Sequence, residues 1–411
     1  MAEMYRHPYR GRMNQKTRRA IVIGGGIAGP AVSLFLHHGG IEPLIFEAYP
    51  RPATIGGGFQ IAPNGMRVLR AVNLADRIAA AGAPSNEFLF RNQHGRSLGR
   101  ITLRRAGFGV TILRAAFHKI LLEETARRGV PIHYGKRLCR VEDRPDAIVA
   151  HFEDGSSVEG DVLLAADGVH SRVRAVAMPA HASARYTGMI GVGGFAESSS
   201  AVPADPDDRH RLTFTVGPRL QFGYATVSYP DLRWGWWTHL PQDTELTREA
   251  LQAIGDDEMR ARVLAAFRGW HEPIEALIST TCSVMRTAIY DVPTLPTWHR
   301  GRVMLLGDAA HAMSPAGGQG ASLALEDAMM VGRRLADGRQ FDEVFVEVER
   351  LLRGRAERLV KQAAENDVRQ VKQLGTVGQW MRDRLFPVFV PLIGRELERQ
   401  YAALADEAQV A

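Results

Sequence analysis

The chain of 411 residues contains only two cysteines, Cys139 and Cys282, and five lysines against 46 arginines. Two thiols so far apart provide neither a disulfide framework nor a metal-ligand spacing, and they read as small buried hydrophobes of a reducing compartment. Long uninterrupted apolar runs are also missing. Ile21 to Leu36 follows Arg18-Arg19 as an export signal would, but Gly24, Gly25, Gly26, Gly29 and Pro30 break it and no cleavage site follows. Leu385 to Ile393 is too short to span a bilayer and contains Pro387 and Pro391. A cytoplasmic protein without a membrane segment is expected. No internal repeat occurs.

A charge surplus is missing from the body as well. The net charge is +6, yet residues 1–19 carry six bases and one acid, which leaves +1 for the remaining chain. A polyanion-binding surface, and with it a nucleic-acid partner, is therefore not expected. Residues 1–19 lack apolar periodicity and read as a disordered basic leader. With 45% hydrophobic and 23% charged residues, the rest has the composition of a globular protein of two or three units.

The first folded segment, Ala20 to Ile23, is a short apolar run ending in glycines. An apolar stretch from Ala31 to His38 and the run Leu44 to Glu47 follow, giving strand, helix and strand. Asp161 to Ala166 and Arg302 to Leu306 are further runs apolar on both faces, each closed by Asp and Gly. They suit parallel strands whose carboxyl ends line a crevice. Being far apart in sequence, they require one sheet interrupted by insertions. The main insertion, 183–280, places seven aromatics within residues 214–237, with Pro230-Asp231 as a turn, and reads as an antiparallel sheet. From Phe341 onward, Val344, Val348, Leu351, Leu352, Leu359 and Val360 recur at helical spacing.

Gly24-Gly25-Gly26-Ile27-Ala28-Gly29 is a G-x-G-x-x-G turn between strand and helix, and Glu47 ends the following strand. Such glycines let the backbone of Gly24, Gly26, Ile27, Ala28 and Gly29 approach a pyrophosphate at a helix N-terminus, while Glu47 can accept from ribose hydroxyls. FAD and NAD(P) both fit this unit. Gly307 to Gly320, G-D-A-A-H-A-M-S-P-A-G-G-Q-G, is a strand end and glycine-rich loop opening a helix from Ala321 to Leu335. Asp308 sits where a carboxylate could accept from a ribityl hydroxyl, and the helix start at Gly320 could face the edge of a reduced flavin.

This segment resembles the GD motif of the FAD-dependent aromatic hydroxylases, the p-hydroxybenzoate hydroxylase-like group A flavoprotein monooxygenases. Asp167-Gly168 resembles the family's DG motif, and Arg114 in Leu-Arg-Ala-Ala-Phe resembles its flavin-contacting arginine, with Phe117 where leucine is usual. The resemblance spans residues 21–335. It implies a Rossmann-like α/β FAD-binding domain of the GR2 type, its parallel sheet interrupted by an antiparallel substrate sheet, with C-terminal helices beyond. The expected division is FAD-binding domain 20–73, 101–182 and 281–339; substrate domain 74–100 and 183–280; helical region 340–411. FAD, an NADH or NADPH donor and O2 are implied, with oxygen passing to an aromatic or polycyclic small molecule by way of a C4a-hydroperoxyflavin. The implied cofactor set is Gly24, Gly26, Ile27, Ala28, Gly29, Glu47, Arg114, Asp167, Asp308, Pro315, Gly318, Gln319, Gly320 and Ala321. No catalytic dyad is implied, and His311 reads as a packing residue of the motif.

Substrate contacts are expected from the aromatic sheet, with Phe222, Tyr224 and Trp236 as candidates, and from Gln60 in the glycine-rich segment 56–61. Alternation puts Trp234, Trp236 and Thr238 on one face and Arg233, Trp237 and His239 on the other. Which face meets the substrate stays open, as do the substrate itself and the oligomeric state. A Baeyer–Villiger or epoxidising relative is the nearest alternative. A non-catalytic FAD-binding sensor or assembly subunit is another. A flavin-dependent halogenase is disfavoured, because no lysine occurs from 17 to 118.

Overall fold

A computed structural model describes residues 18–52, 56–196, 210–228, 233–371 and 373–404. Tyr229 and the Pro230-Asp231 turn lie outside the described residues, as does all but the end of the basic leader. The elements that position the site are, in chain order, β1 (Arg19–Ile23), α1 (Ala28–His38), β2 (Glu42–Phe46), β3 (Val162–Ala165), β4 (Arg185–Phe195), β5 (Arg211–Val216) and β6 (Gln221–Ser228). They continue with β7 (Arg233–Pro241), β8 (Val284–Asp291), β9 (Val303–Leu305), α2 (Gly320–Ala336), α3 (Phe341–Val371) and α4 (Thr376–Ala402).

Ala20, Ile21 and Val22 of β1 and Leu163, Leu164 and Ala165 of β3 are fully buried, as strands covered on both faces must be. A six-stranded sheet contains β9, β3, β1 and β2 as consecutive parallel neighbours, with Ile132–His133 parallel beyond β2 and His299–Arg300 antiparallel on the far edge. Segments more than a hundred residues apart thus meet in one interrupted parallel sheet. Arg19 already pairs with Glu42, so the strand starts inside the stretch expected to be leader.

The second sheet has seven strands in the order β8, β4, β7, β6, β5, then Glu87–Asn92 and Ser97–Thr102. Its pairs are antiparallel except β5 with Glu87–Asn92. It includes Val284–Asp291, beyond the expected end of the substrate segment at 280. That strand pairs with β4 from Arg185–Asp291 to Gly194–Val284, and these backbone bonds outweigh its sequence proximity to the Gly307 motif. Helices Asp256–Ala266 and Ile274–Ser279 cover one face of the sheet. Cys139 is half-buried and Cys282 exposed, so the expectation of two buried thiols fails. No helix among the described residues is long and apolar enough to cross a membrane.

Candidate active site

β1 delivers the chain into the first glycine turn. Gly24 has φ +110°, and a Cβ there would overlap the Ala166 carbonyl; a Cβ at Gly29 would overlap the Gly24 carbonyl oxygen. These two glycines are demanded by the fold itself. Gly26 differs, since a Cβ there would meet no protein atom within 4 Å. It borders open space at the start of α1, where a pyrophosphate would approach. The loop is held by Gly24 N donating to Phe46 O at 2.8 Å and Gly25 N donating to Glu47 Oε2 at 2.7 Å. Glu47 Oε1 accepts from Tyr49 N at 2.8 Å. Glu47 is thus a brace of the loop, each of its oxygens accepting from a backbone amide. His118, one helical turn beyond Arg114, stands 2.6 Å from the Gly25 carbonyl through Nε2, a brace that no motif announced.

Asp308 is exposed to solvent although it lies deep in the protein. Desolvation pushes its carboxyl up, opposed by the charges of His311 and Arg114, and no hydrogen bond contributes. A group both accessible and desolvated is a wall of a deep cleft. Arg114 opens the helix Arg114–Arg127, its N–H donating to Gly57 O at 2.9 Å. Gly320, 3.9 Å from Asp308 Oδ1 at its Cβ position, begins the 17 residues of α2, whose first turn has no acid. Its N-terminal dipole is therefore free to favour a negative group. Pro315 starts a short 3₁₀ turn capped by Ser314, followed by Gly318 with φ +64°. An open cradle at Gly26, an unbonded carboxylate at Asp308 and an unneutralised helix start at Gly320 and Ala321 fit FAD.

Other expected contacts have different partners. Asp167 accepts from Ser171 Oγ at 2.6 Å, Arg172 N at 2.7 Å and Val173 N at 3.0 Å, so its oxygens shape their own loop. Buried Arg174 ties that loop to the GD segment through Ala309 O at 2.6 Å. Gln319 is buried and turns to the C-terminal helices, 3.3 Å from Gln400 Oε1. His311 bonds Asp327 at 2.7 Å, and the same carboxylate oxygen accepts from Gly307 N at 2.7 Å. Burial would lower the His311 pKa, but Asp327 raises it overall, and the pair braces the motif. Gln60 Nε2 donates to Ser85 Oγ at 3.0 Å within a small three-stranded sheet.

The aromatic candidates are corrected by the sheet's orientation. Phe222, Tyr224 and Trp236 are no more than 2% exposed and pack with Met259, Val263 and Phe267 of the covering helix segment. Phe222 stacks on Trp236 at 5.5 Å, and Trp236 Nε1 donates to Thr281 Oγ1 at 2.8 Å. They form the back of the sheet, where bulky rings gain most from burial. The opposite face meets the glycine-rich segment 56–61: Val227 packs at the Cβ position of Gly58 and Met285 at that of Gly57. Trp237 and His239 share this face by alternation.

His239 and Asp367 are the pair that sequence motifs missed. His239 Nδ1 lies 4.0 Å from Asp367 Oδ1, with side chains only 10% and 6% exposed. Desolvation lowers His239 to about 4 and raises Asp367 to about 6; Ser314 pulls Asp367 back down and the charge of Asp291 adds to the rise. The Ser314 hydroxyl approaches Asp367 without full hydrogen-bond geometry, and neither carboxylate oxygen has another hydrogen-bond partner among the described residues. α3 brings Asp367 here because it packs on the Pro315–Gly317 turn, Ala363 lying at the Cβ position of Gly317. Substrate sheet, GD loop and C-terminal helix therefore converge on one buried acid and one neutral imidazole. Among the described residues no group of three His, Cys, Asp or Glu could hold a metal.

A strand, glycine turn and helix with open space at Gly26, an exposed carboxylate at Asp308 and a second helix start at Gly320 are the features of a flavin-dependent oxidoreductase. Residues 17–340 match the family model described as FAD binding domain. The chain belongs to that family and is an FAD-dependent monooxygenase of the group A type. It is 32% identical over 342 residues to 6-hydroxynicotinate 3-monooxygenase of Pseudomonas fluorescens, covering 79% of this chain and 84% of the relative. It is 34% identical over 316 residues to 3-amino-4-hydroxybenzoate 2-monooxygenase of Streptomyces cremeus, covering 75% and 76%. The crystal structure of Klebsiella pneumoniae HpxO with FAD and uric acid superposes with a TM-score of 0.81 at 26% identity, covering 94% of this chain and 97% of that one.

Proposed function

We propose that this monooxygenase hydroxylates a ring carbon of an aromatic or N-heteroaromatic compound that already carries a hydroxyl or oxo group, with NADH or NADPH as donor. The observation that carries this reading is His239, a buried imidazole held neutral on the face of the sheet that meets the glycine-rich segment 56–61, beside Asp367 of α3. A neutral imidazole accepts a hydrogen bond from a ring hydroxyl; with its basicity lowered, His239 orients that hydroxyl rather than removing its proton outright, and the oriented hydroxyl makes the neighbouring ring carbons electron-rich, where an electrophilic oxygen attacks. Asp367 stands behind it, 4.0 Å away, where a carboxylate favours partial positive charge on the ring as the hydroxyl proton is shared. FAD, when bound, takes hydride from the donor and activates O2. The protein's part is to hold the isoalloxazine edge at the Gly320 helix start, the ribityl chain at Asp308 and the pyrophosphate at Gly26, and to keep water from the ring face. Two similar enzymes are named for hydroxylated aromatic acids, which supports a substrate of this kind. NADH and NADPH are cytoplasmic metabolites, and we place the reaction there.

The test is NADH or NADPH oxidation by the FAD-loaded enzyme against 6-hydroxynicotinate, 3-amino-4-hydroxybenzoate and urate, with products identified by mass. A hydroxylated ring supports the reading. Ring expansion or an epoxide would transfer the assignment to Baeyer–Villiger or epoxidising chemistry. Bound FAD with no response to any ring compound would leave a binding protein.

A further inference from the structure

The segment Leu385 to Ile393, too short for a membrane span, lies in the middle of α4. Of thirteen exposed large hydrophobic residues among the described ones, eight are on this helix, each between 40% and 72% exposed. One side of α4 is already used. Val390 and Tyr401 are buried there with Phe88 and Ile101, and Phe386 and Leu397 pack beside them. The helix is also fastened by polar contacts. Asn92 Nδ2 donates to Asp383 at 2.6 Å, Arg382 donates to Gly217 O at 2.6 Å, and Glu398 accepts from the Arg104 and Arg105 amides at 2.8 and 3.1 Å. It cannot turn its second apolar face inward.

That second face is a stripe through Val377, Met381, Leu385, Val388, Phe389 and Leu392, recurring at three and four residues. The six side chains of the stripe, roughly half exposed, present on the order of 600 Å² of apolar surface. A lone soluble chain rarely shows a larger contiguous patch, and two copies together would bury about 1,200 Å², the lower end of a specific, stable interface. The charges of α4 are four arginines and three acids. A helix lying on an anionic membrane carries a one-signed basic rim, whereas a near-balanced rim is compatible with a copy of itself.

We propose that the outward face of α4 is the interface of a two-fold homodimer, in which the stripe of one chain packs antiparallel on the same stripe of a second copy. An isologous contact of this kind uses one surface twice and closes, leaving no apolar strip exposed.

Sedimentation velocity of the full-length, FAD-loaded protein at micromolar concentration should give twice the chain mass. Leu385→Glu and, separately, Leu392→Arg place an unpaired charge in the centre of the contact. Each should raise the dimer dissociation constant by about a hundredfold or more, with flavin absorbance and melting temperature of the monomer retained. A wild-type monomer at all concentrations overturns the proposal. So does a dimer that both variants leave intact, or a monomer that co-sediments with phosphatidylcholine vesicles, which would make the stripe a membrane face. Should one variant fail to hold FAD, the other and the wild-type mass still decide.

Discussion

His239 Nδ1 stands 4.0 Å from Asp367 Oδ1, a separation that joins β7 of the seven-stranded sheet to α3 in a buried contact. Each group titrates away from its ordinary value, and in opposite directions, because both are desolvated.

Opposed shifts give opposed pH slopes of stability. Asp367, held near 6 against 3.8, keeps its proton in the folded state longer than in the unfolded chain, so ionising it costs stability as pH rises from 4 to 6. His239, held near 4 against 6.5, does the reverse, contributing stability that is lost as pH falls from 6.5 to 4. Between pH 4 and 6 the contributions of these two groups therefore nearly cancel. Asp367→Asn should be more stable than wild type at pH 7, by up to about 3 kcal/mol, and lose that advantage below pH 4. Urea unfolding at both pH values checks it; equal stability throughout would show that Asp367 bears no buried-charge penalty.

The same variant should lose activity. With Asp367 neutral, His239 shares the hydroxyl proton less readily, and kcat on a hydroxylated ring is expected to fall about 10- to 100-fold. His239→Gln should fall at least as far, and both should move the acid limb of the kcat profile. A fall in kcat with an unmoved pH profile would mark a purely structural pair.

The two kinds of fingerprint glycine should separate by experiment. Gly29→Ala forces a Cβ into the Gly24 carbonyl and should destabilise the fold by about 2–4 kcal/mol. Gly26→Val has no protein atom to strike, so the apoprotein should fold normally and fail to retain FAD. Thermal melts and flavin fluorescence on the two variants would contradict this if their phenotypes were exchanged.

Much of this architecture was legible because its strands are apolar on both faces and end in glycines or in an Asp-Gly or Gly-Asp pair, a signal independent of partners. Ala20–Ile23, Val162–Ala165 and Val303–Leu305 needed no contact map to be read as one buried sheet. The aromatic strands were different. Alternation divides Trp236 from Trp237 but is symmetric between faces, and only the helices packed on Phe222 and Trp236 settle which side is core. Asp367 was invisible for another reason. It lies in a charge-rich amphipathic helix, and its 4.0 Å approach to His239 crosses 128 residues of chain.

The back-of-sheet assignment carries its own expectation. Trp236→Phe removes the bond to Thr281 and should cost about 1–2 kcal/mol of stability while leaving the KM for substrate within twofold. A large change in KM without loss of stability would return Trp236 to the substrate pocket.

The central claim is that FAD in this cleft transfers one atom of O2 to a hydroxylated ring. Stopped-flow reduction of the FAD-loaded enzyme by NADH or NADPH, run with 6-hydroxynicotinate and related hydroxy-aromatic acids under ¹⁸O₂, tests it most directly. The account predicts at least about tenfold faster flavin reduction with a ring compound that is recovered carrying one ¹⁸O atom. Reduction that no ring compound accelerates, or a product whose new oxygen comes from water, would contradict it.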